Sequence, residues 1–249
     1  MIRRPPRSTL SSSSAASDVY KRQIFMFPIY DDVPTKKFPL ITVALIVMNS
    51  IVYLYQMSLG EGFTEFIYSM GLIPFEITHH IDLFPSGPSP LYLTIFSSMF
   101  MHGSIVHLLG NMLFLWIFGN NVEDYLKRKK FLIFYLICGI AAALTQIFIN
   151  PNSKVPMVGA SGAIAGVLGA YLLLYPRAKV TTVIIFGFFI RLIKIPAVVV
   201  LSFWIIYQFL YGISSLAVGA GEGGVAWFAH IGGFICGVIL IKLFKPFVK

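Results

Sequence analysis

The sequence VPMVGASGAIAG, from Val155 to Gly166, places one serine among small residues between two strongly apolar segments. Small residues let helices approach each other closely in a membrane, so residue type alone favours a packing role for Ser161. The alternative is a nucleophile, which requires a general base within hydrogen-bonding reach. The choice depends on the class of protein and on the other polar residues at the same membrane depth.

Composition indicates a polytopic membrane protein. Of 249 residues, 57% are hydrophobic and 12% are charged, and the mean hydropathy is +0.81. Soluble domains carry about 25% charged residues, so this chain lacks the charges that a polar surface needs. We therefore expect one compact, all-α membrane domain with several spans.

Six spans follow from comparing the apolar runs with the roughly 20 residues that a helix needs to cross a bilayer. They are residues 40–59, 104–121, 131–149, 161–175, 196–216 and 225–244. The proline-rich connection between the first two is expected to lie partly in the membrane interface. Residues 180–195 are apolar but contain Arg191 and Lys194, which favours an interfacial segment on the inner face over a seventh span.

The amino-terminal residues differ in composition from the rest of the chain. Residues 1–25 are basic and serine-rich, so they are expected to be a cloning or assembly remnant or a disordered tail, with the membrane domain at 26–249.

With the amino terminus inside, the outer loops hold only Lys154 among the basic residues. This asymmetry predicts a cytoplasmic amino terminus, and the short basic inner loops favour a bacterial plasma membrane. It also explains most of the net charge of +9 without a nucleic-acid partner.

Polar side chains occur in three of the predicted spans at similar depth. His107 and Asn111 are four residues apart in the second span, so both lie on one helical face. Ser161 begins the fourth span, and His230 lies about one turn into the sixth. Each could serve packing or an interhelical hydrogen bond, but polar groups at membrane depth are costly and usually functional. Their common depth near the outer ends of the spans favours a shared site.

Glycine pairs predict which two spans meet. Gly162 and Gly166 share one face of the fourth span, and Gly233 and Gly237 share the face of the histidine in the sixth. Such faces allow close backbone contact in lipid. We therefore expect spans four and six to touch, as a hydrogen bond between the serine and the histidine requires.

A serine beside a histidine supplies a nucleophile and a general base. No carboxylate lies within a span near these two residues, so a Ser161–His230 dyad is expected rather than a triad. His107 and Asn111, with backbone N–H groups at the start of the fourth helix, could stabilise a developing oxyanion. The absence of a His-Glu-x-x-His pattern argues against a metalloprotease.

Three motifs make the chain resemble the rhomboid intramembrane serine proteases over roughly residues 26–249. They are HGSIVHLLGN at 102–111, GASG at 159–162 and AHIGGFICG at 229–237, in the family's order and on spans two, four and six. The resemblance implies a six-helix core with a water-filled cavity that opens outward. It also implies that Ser161 is the nucleophile, that His230 is its base, and that no metal or organic cofactor is needed.

The resemblance implies further roles and a class of substrate. His107 and Asn111 would form the side-chain part of the oxyanion hole, His102 would organise the first loop, and Gly159 belongs to the serine motif. Substrates would be other membrane proteins, cleaved at or near a transmembrane helix. Many members carry a Trp-Arg pair in the first loop, which this chain lacks, and an aromatic residue where this chain has Ala165. The first departure affects how the loop is positioned in the membrane, and the second affects how the histidine packs.

Two other classes of function stay open. A proteolytically silent relative that binds membrane proteins would typically lack the serine or the histidine, and both are present here. A transporter would predict internal repeats or broken helices in matching positions of two halves, and the sequence shows no such repeat. The expected function is therefore an intramembrane serine endopeptidase that cleaves near the outer membrane boundary.

Overall fold

Helices form most of the fold in the computed structural model, which describes residues 24–186, 189–218 and 225–244. The helices are α1 (Leu40–Ser58), α2 (Phe63–Met70), α3 (Pro74–His79), α4 (Thr94–Ser97), α5 (Ile105–Phe114), α6 (Asn120–Leu126), α7 (Arg128–Ile149), α8 (Ser161–Leu174), α9 (Ala197–Val218) and α10 (Trp227–Leu243). A π-helical turn, Leu115–Gly119, joins α5 to α6, and 3-10 turns occupy Gly60–Gly62, Leu91–Leu93 and Ser98–Phe100. Of the predicted amino-terminal segment, residues 1–23 lie outside the described ranges.

Each predicted span contains a helix. Within the described residues, four helical runs are long and apolar enough to cross a membrane: Leu40–Ser58, Ile105–Leu126, Arg128–Ile149 and Ala197–Leu216. The chain is therefore a multi-pass membrane protein. The helices α8 and α10 are also apolar but have only 14 and 17 residues, so a core of six spanning helices stays a prediction.

The short helix α8 lies at the centre of the bundle. All of its residues from Gly162 to Tyr171 are buried, and it contacts α7, α10 and the π-helical turn. A helix surrounded by other helices is apolar on every side. Such a helix has no lipid-facing stripe, which explains why its sequence lacks amphipathic periodicity.

Glycines let α8 touch its neighbours backbone to backbone. A Cβ on Gly233 would overlap the carbonyl oxygen of Gly162, and a Cβ on Gly237 would overlap that of Gly166. On the α7 side, a Cβ on Gly162 would lie 2.5 Å from the Cβ of Ala142. Close-packed contacts of this kind leave no room for a side chain. The contact expected between the fourth and sixth predicted spans is therefore present.

The connection between α1 and α5 folds back onto the segment that precedes α8. Leu72 and Met157 exchange two backbone hydrogen bonds, of 3.1 and 2.8 Å. The Gly159 N–H donates to the carbonyl oxygen of Ser98 over 2.8 Å. These bonds fix the chain that leads into Ser161, and they do so without the Trp-Arg pair that many rhomboid proteases carry in this loop.

A carboxylate from α6 caps the amino terminus of α1. Glu123 is buried and accepts hydrogen bonds from the N–H groups of Ile41 and Thr42, at 3.0 and 2.7 Å, and from the Thr42 hydroxyl at 2.8 Å. The first N–H groups of a helix lack intrahelical partners and favour a nearby negative charge. Glu123 therefore joins the first long helical run to the second.

A three-stranded antiparallel sheet corrects the all-α expectation. Its strands are β1 (Ile24–Asp31), β2 (Lys179–Phe186) and β3 (Phe189–Pro196), with β2 in the centre. The described residues of the apolar segment 180–195 thus belong to β2 and β3 and not to a seventh helical span, and the predicted boundary between residues 25 and 26 falls inside β1. Strands favour the β-branched residues that fill β2. The pairing of β2 with β1 joins distant parts of the chain, which local periodicity does not reveal.

Asp31, at the end of β1, ties the sheet to the helices. Its carboxylate accepts one hydrogen bond from Asn121 Nδ2, at 2.7 Å, and another from the hydroxyl of Tyr171. Burial raises the pKa of Asp31, and the hydrogen bond from Tyr171 partly offsets this rise. The strand is therefore attached to both α6 and α8 through one carboxylate.

Candidate active site

Ser161 and His230 are in direct contact. Ser161 is the first residue of α8, and His230 lies in the first turn of α10. The distance between Ser161 Oγ and His230 Nε2 is 2.7 Å. The glycine contacts between α8 and α10 permit this distance, because larger residues would hold the helices apart. The structure thus brings together two residues that lie 69 positions apart in the sequence.

His107 and Asn111 lie on one face of α5, beside the segment that enters α8. A Cβ on Gly159 would lie 2.8 Å from His107 Nε2 and 3.5 Å from Asn111 Nδ2. Gly159 has a φ of +128°, a conformation that favours glycine. The start of α8 adds N–H groups without intrahelical partners and the positive end of the helix dipole. Hydrogen-bond donors from the side chains of α5 and from the backbone at the start of α8 therefore lie close to Ser161.

His102 connects Asn111 to α1. It is fully buried, and its Nε2 lies 2.9 Å from Asn111 Nδ2, while its ring meets that of His107 edge-on. Gln56 accepts from the His102 N–H at 3.1 Å and donates to its carbonyl oxygen at 3.3 Å. Burial lowers the pKa of His102 to about 3, and the neighbouring His107 adds to the shift, so the ring is neutral. A neutral ring can accept from one hydrogen of the Asn111 amide, which leaves the second hydrogen for another acceptor.

Two residues of α9 that lie outside the sequence motifs contact the other side of His230. Gln208 Oε1 lies 2.7 Å from His230 Nδ1, and the ring of Trp204 packs at a centroid distance of 5.8 Å. Trp227 adds an edge-on contact at 6.5 Å, so aromatic packing reaches the histidine although Ala165 supplies none. Gln208 carries the same signal as the selected residues, a polar side chain within a span. The sequence alone does not identify it as a site residue, because it is neither a carboxylate nor part of a motif.

A cavity of about 560 Å³ joins these groups. Its lining includes Ser161, His230, His107 and Asn111, and it extends to the exposed loop residue Val155. Polar lining of this kind allows a cavity to hold ordered water, which a hydrolytic site requires. In the described parts of the chain, no group of three or more His, Cys, Asp and Glu side chains is placed to bind a metal.

Comparisons with known proteins find similar chains. The family model described as the rhomboid domain matches residues 90–247. RHOMBOID-like protein 4 of Arabidopsis thaliana is 29% identical over 240 residues, which cover 84% of this chain and 54% of the relative. Rhomboid protein 1, mitochondrial, of Saccharomyces cerevisiae is 31% identical over 153 residues, which cover 59% of this chain and 40% of the relative.

A bacterial protein is similar over a shorter region. Rhomboid protease GluP of Bacillus subtilis is 42% identical over 72 residues, which cover 29% of this chain and 14% of the relative. The chain therefore spans about half or less of the length of the relatives it matches.

Proposed function

The chain belongs to the rhomboid family, and on that premise we propose that it is an intramembrane serine endopeptidase. Its substrates are other membrane proteins, which it cleaves near the outer boundary of the membrane. The observation that carries the proposal is the 2.7 Å contact between Ser161 Oγ and His230 Nε2, at a cavity that also adjoins His107 and Asn111. A proteolytically silent relative would keep the fold without needing this contact.

The chemistry assigned to the dyad is acyl transfer to serine. The hydroxyl proton of Ser161 moves to His230 Nε2 as Oγ attacks the carbonyl carbon of the scissile peptide bond. The C–N bond then breaks, and the protonated histidine gives its proton to the leaving amine. Water, deprotonated by the same histidine, attacks the acyl-enzyme and releases the carboxyl product with Ser161 restored.

The oxyanion of each tetrahedral intermediate is assigned to donors beside Ser161. His107 and Asn111 flank Gly159, two residues before the nucleophile, and the N–H groups at the start of α8 lie on the serine itself and just after it. Fixed donors directed at developing charge are often the largest single contribution to such reactions. Because Asn111 also bonds to His102, its amide is held in place before substrate binds.

Hydrolysis within a membrane protein requires both water and an exposed peptide bond. The cavity supplies room for water beside Ser161, and its lining extends to Val155 in an exposed loop. A peptide bond inside a helix is shielded from attack, so the substrate must unwind locally before it reacts. Substrates with glycine or other helix-weakening residues near the cleavage site should therefore react faster.

The proposed topology is a six-helix core with its amino terminus in the cytoplasm. Basic residues are concentrated in the loops assigned to the inner face, which supports this orientation. It brings Ser161, at the start of α8, toward the outer face, together with the first turn of α10. The short basic inner loops support a bacterial plasma membrane as the location.

A direct test uses the purified full chain and a single-span test substrate in detergent or liposomes. The wild-type protein should produce one cleavage near the outer end of the substrate helix, and Ser161→Ala should produce none. The substitution should leave thermal unfolding almost unchanged, because alanine is small and favours helices. Equal cleavage by both proteins would remove Ser161 from the mechanism and contradict the proposed activity.

A further inference from the structure

A hydrogen bond from α9 reaches the ring nitrogen of His230 that does not contact Ser161. Gln208 Oε1 lies 2.7 Å from His230 Nδ1, and the Gln208 side chain is buried, with 5% of its surface exposed. We propose that Gln208 is a positioning residue that holds His230 in the tautomer able to act as a base. The inference rests on the proposed function, because it assigns a role within the same site.

A neutral imidazole carries one N–H group and one unprotonated nitrogen. An amide oxygen only accepts hydrogen bonds, so the Gln208 contact requires the proton on Nδ1 of His230. The lone pair then lies on Nε2, which faces the Ser161 hydroxyl at 2.7 Å. The opposite tautomer would donate to Ser161 and could not accept its proton.

A buried carboxylate fills this orienting role in serine protease triads. A carboxylate at membrane depth is costly unless it is paired, whereas a neutral amide supplies the same acceptor without a net charge. When His230 takes the proton from Ser161, its Nδ1–H bond to Gln208 becomes charge-assisted and therefore stronger. Gln208 thus stabilises the transition state more than the resting enzyme.

Trp204 reinforces the same orientation from one turn earlier on α9. Trp204 and Gln208 are four residues apart, so both face one direction from the helix. The centroids of the Trp204 and His230 rings are 5.8 Å apart, while Gln208 forms a hydrogen bond with Nδ1 at the edge of the His230 ring. Two contacts from one helical face fix both the plane of the imidazole and its rotation about the side-chain bonds.

A purely structural role is the competing explanation. Gln208 could simply join α9 to α10 through one polar contact, as interhelical amides do in membranes. Its loss would then lower the thermal midpoint and leave the pH dependence of turnover unchanged. A positioning role predicts the reverse, so turnover and its pH profile separate the two explanations.

The experiment measures kcat and KM of the full chain on a single-span substrate between about pH 4 and 9, which includes the titration of an unperturbed histidine and part of the lower range expected when the ring is buried. It adds the rate at which a fluorophosphonate probe labels Ser161, which needs no substrate binding. The variants are Gln208→Leu and Gln208→Glu, and the matched control is Ser214→Ala. Ser214 lies on the same helix, is exposed, and bonds only to the carbonyl oxygen of Leu210 among the contacts described for its side chain.

Gln208→Leu should lower kcat and the labelling rate by about tenfold, with little change in KM, because a charge-assisted hydrogen bond is lost in the transition state. Gln208→Glu should restore much of that rate. It should also move the acidic limb of the kcat profile to higher pH, because the added negative charge favours the protonated imidazole, which cannot act as a base. Ser214→Ala should match the wild type.

The positioning role is overturned if Gln208→Leu keeps the wild-type rates and pH profile. If that variant does not fold, Gln208→Glu decides, and an unshifted acidic limb overturns the proposal. Wild-type protein that behaves like Ser161→Ala in both assays would instead overturn the proposed function itself, and this inference with it. Failure confined to the Gln208 variants leaves the proposed function intact.

Discussion

Two of the helices that pack against α10, α8 and α9, contact it in opposite ways. Against α8, glycines bring backbone to backbone, so that a Cβ on Gly233 or Gly237 would overlap a carbonyl oxygen. Against α9, the contact is made by large side chains, and Trp204 and Gln208 extend from α9 to His230. His230 therefore meets Ser161, its proposed nucleophile, across a rigid backbone interface, and it meets Trp204 and Gln208 across an interface of side chains.

The two interfaces also differ in which of them brings aromatic residues to the histidine. The aromatic packing that many rhomboid proteases supply four residues after the serine is absent, since Ala165 is fully buried in the close-packed helix α8. Trp204 and Trp227 supply aromatic contacts to the histidine from other positions. A side-chain interface accepts such exchanges, whereas a backbone contact fixes its glycines.

The largest expected effect comes from removing the residue that both interfaces share. His230→Ala should lower kcat by roughly four orders of magnitude or more, since it removes the base along with its orientation. Its effect on the thermal midpoint should be much smaller. The measurements are kcat and the thermal midpoint of unfolding in detergent. A large fall in the thermal midpoint would indicate that the histidine is chiefly structural.

Asn111→Ala tests whether the donors beside Gly159 act on the reaction. One missing oxyanion donor costs roughly a hundred- to a thousandfold in rate, about 2.7–4 kcal/mol of barrier. A lost interhelical hydrogen bond costs only about 0.6 kcal/mol of stability on average. The effects on kcat and on the thermal midpoint therefore differ enough to decide, and near-normal turnover would exclude Asn111 from the oxyanion site.

Gly233→Val breaks the rigid interface directly. The added side chain would collide with the carbonyl oxygen of Gly162, and overpacking of this kind costs about 1–3 kcal/mol or more. Stability and turnover should fall together, because the helices separate and carry Ser161 away from the histidine. Gly110→Ala is the control for stability, since a Cβ on Gly110 meets nothing within 4 Å. Equal thermal midpoints for the two variants would contradict the packing account.

Trp204→Leu loosens the adjustable interface and should have the smallest effect. Aromatic pairs contribute about 0.5–1.5 kcal/mol beyond their buried area, which corresponds to a few-fold to about tenfold in rate if the contact only orients the ring. Trp204→Phe should recover part of the loss. A drop in turnover as large as that of Gly233→Val would show that the two interfaces are equally rigid.

The sequence predicts the rigid interface better than the adjustable one. Glycine pairs on two helices predict one close contact between those helices, and this contact brings the serine to the histidine. The glycines are Gly162, Gly166, Gly233 and Gly237. Gln208 carries no motif, and many side chains could fill its place. Its contact with His230 depends on how α9 docks, which residue spacing does not specify.

The sheet shows a second limit of prediction from sequence. The segment 180–195 is apolar with isolated basic residues, which fits an interfacial helix or a strand equally well. Its two strands pair with each other, and β2 also pairs with β1, which lies far earlier in the chain. A pairing between such distant segments leaves no local pattern, so neither the sheet nor its anchor at Asp31 was predicted.

The proposed activity depends on one step, in which His230 activates Ser161 as a nucleophile. The most direct measurement is the intact mass and peptide map of the full chain after treatment with a fluorophosphonate probe, beside Ser161→Ala and His230→Ala. We expect a single adduct on Ser161 in the wild type, no adduct in Ser161→Ala, and labelling slowed by orders of magnitude in His230→Ala. Labelling of Ser161 at the same rate without His230, or an adduct on another residue, would contradict it.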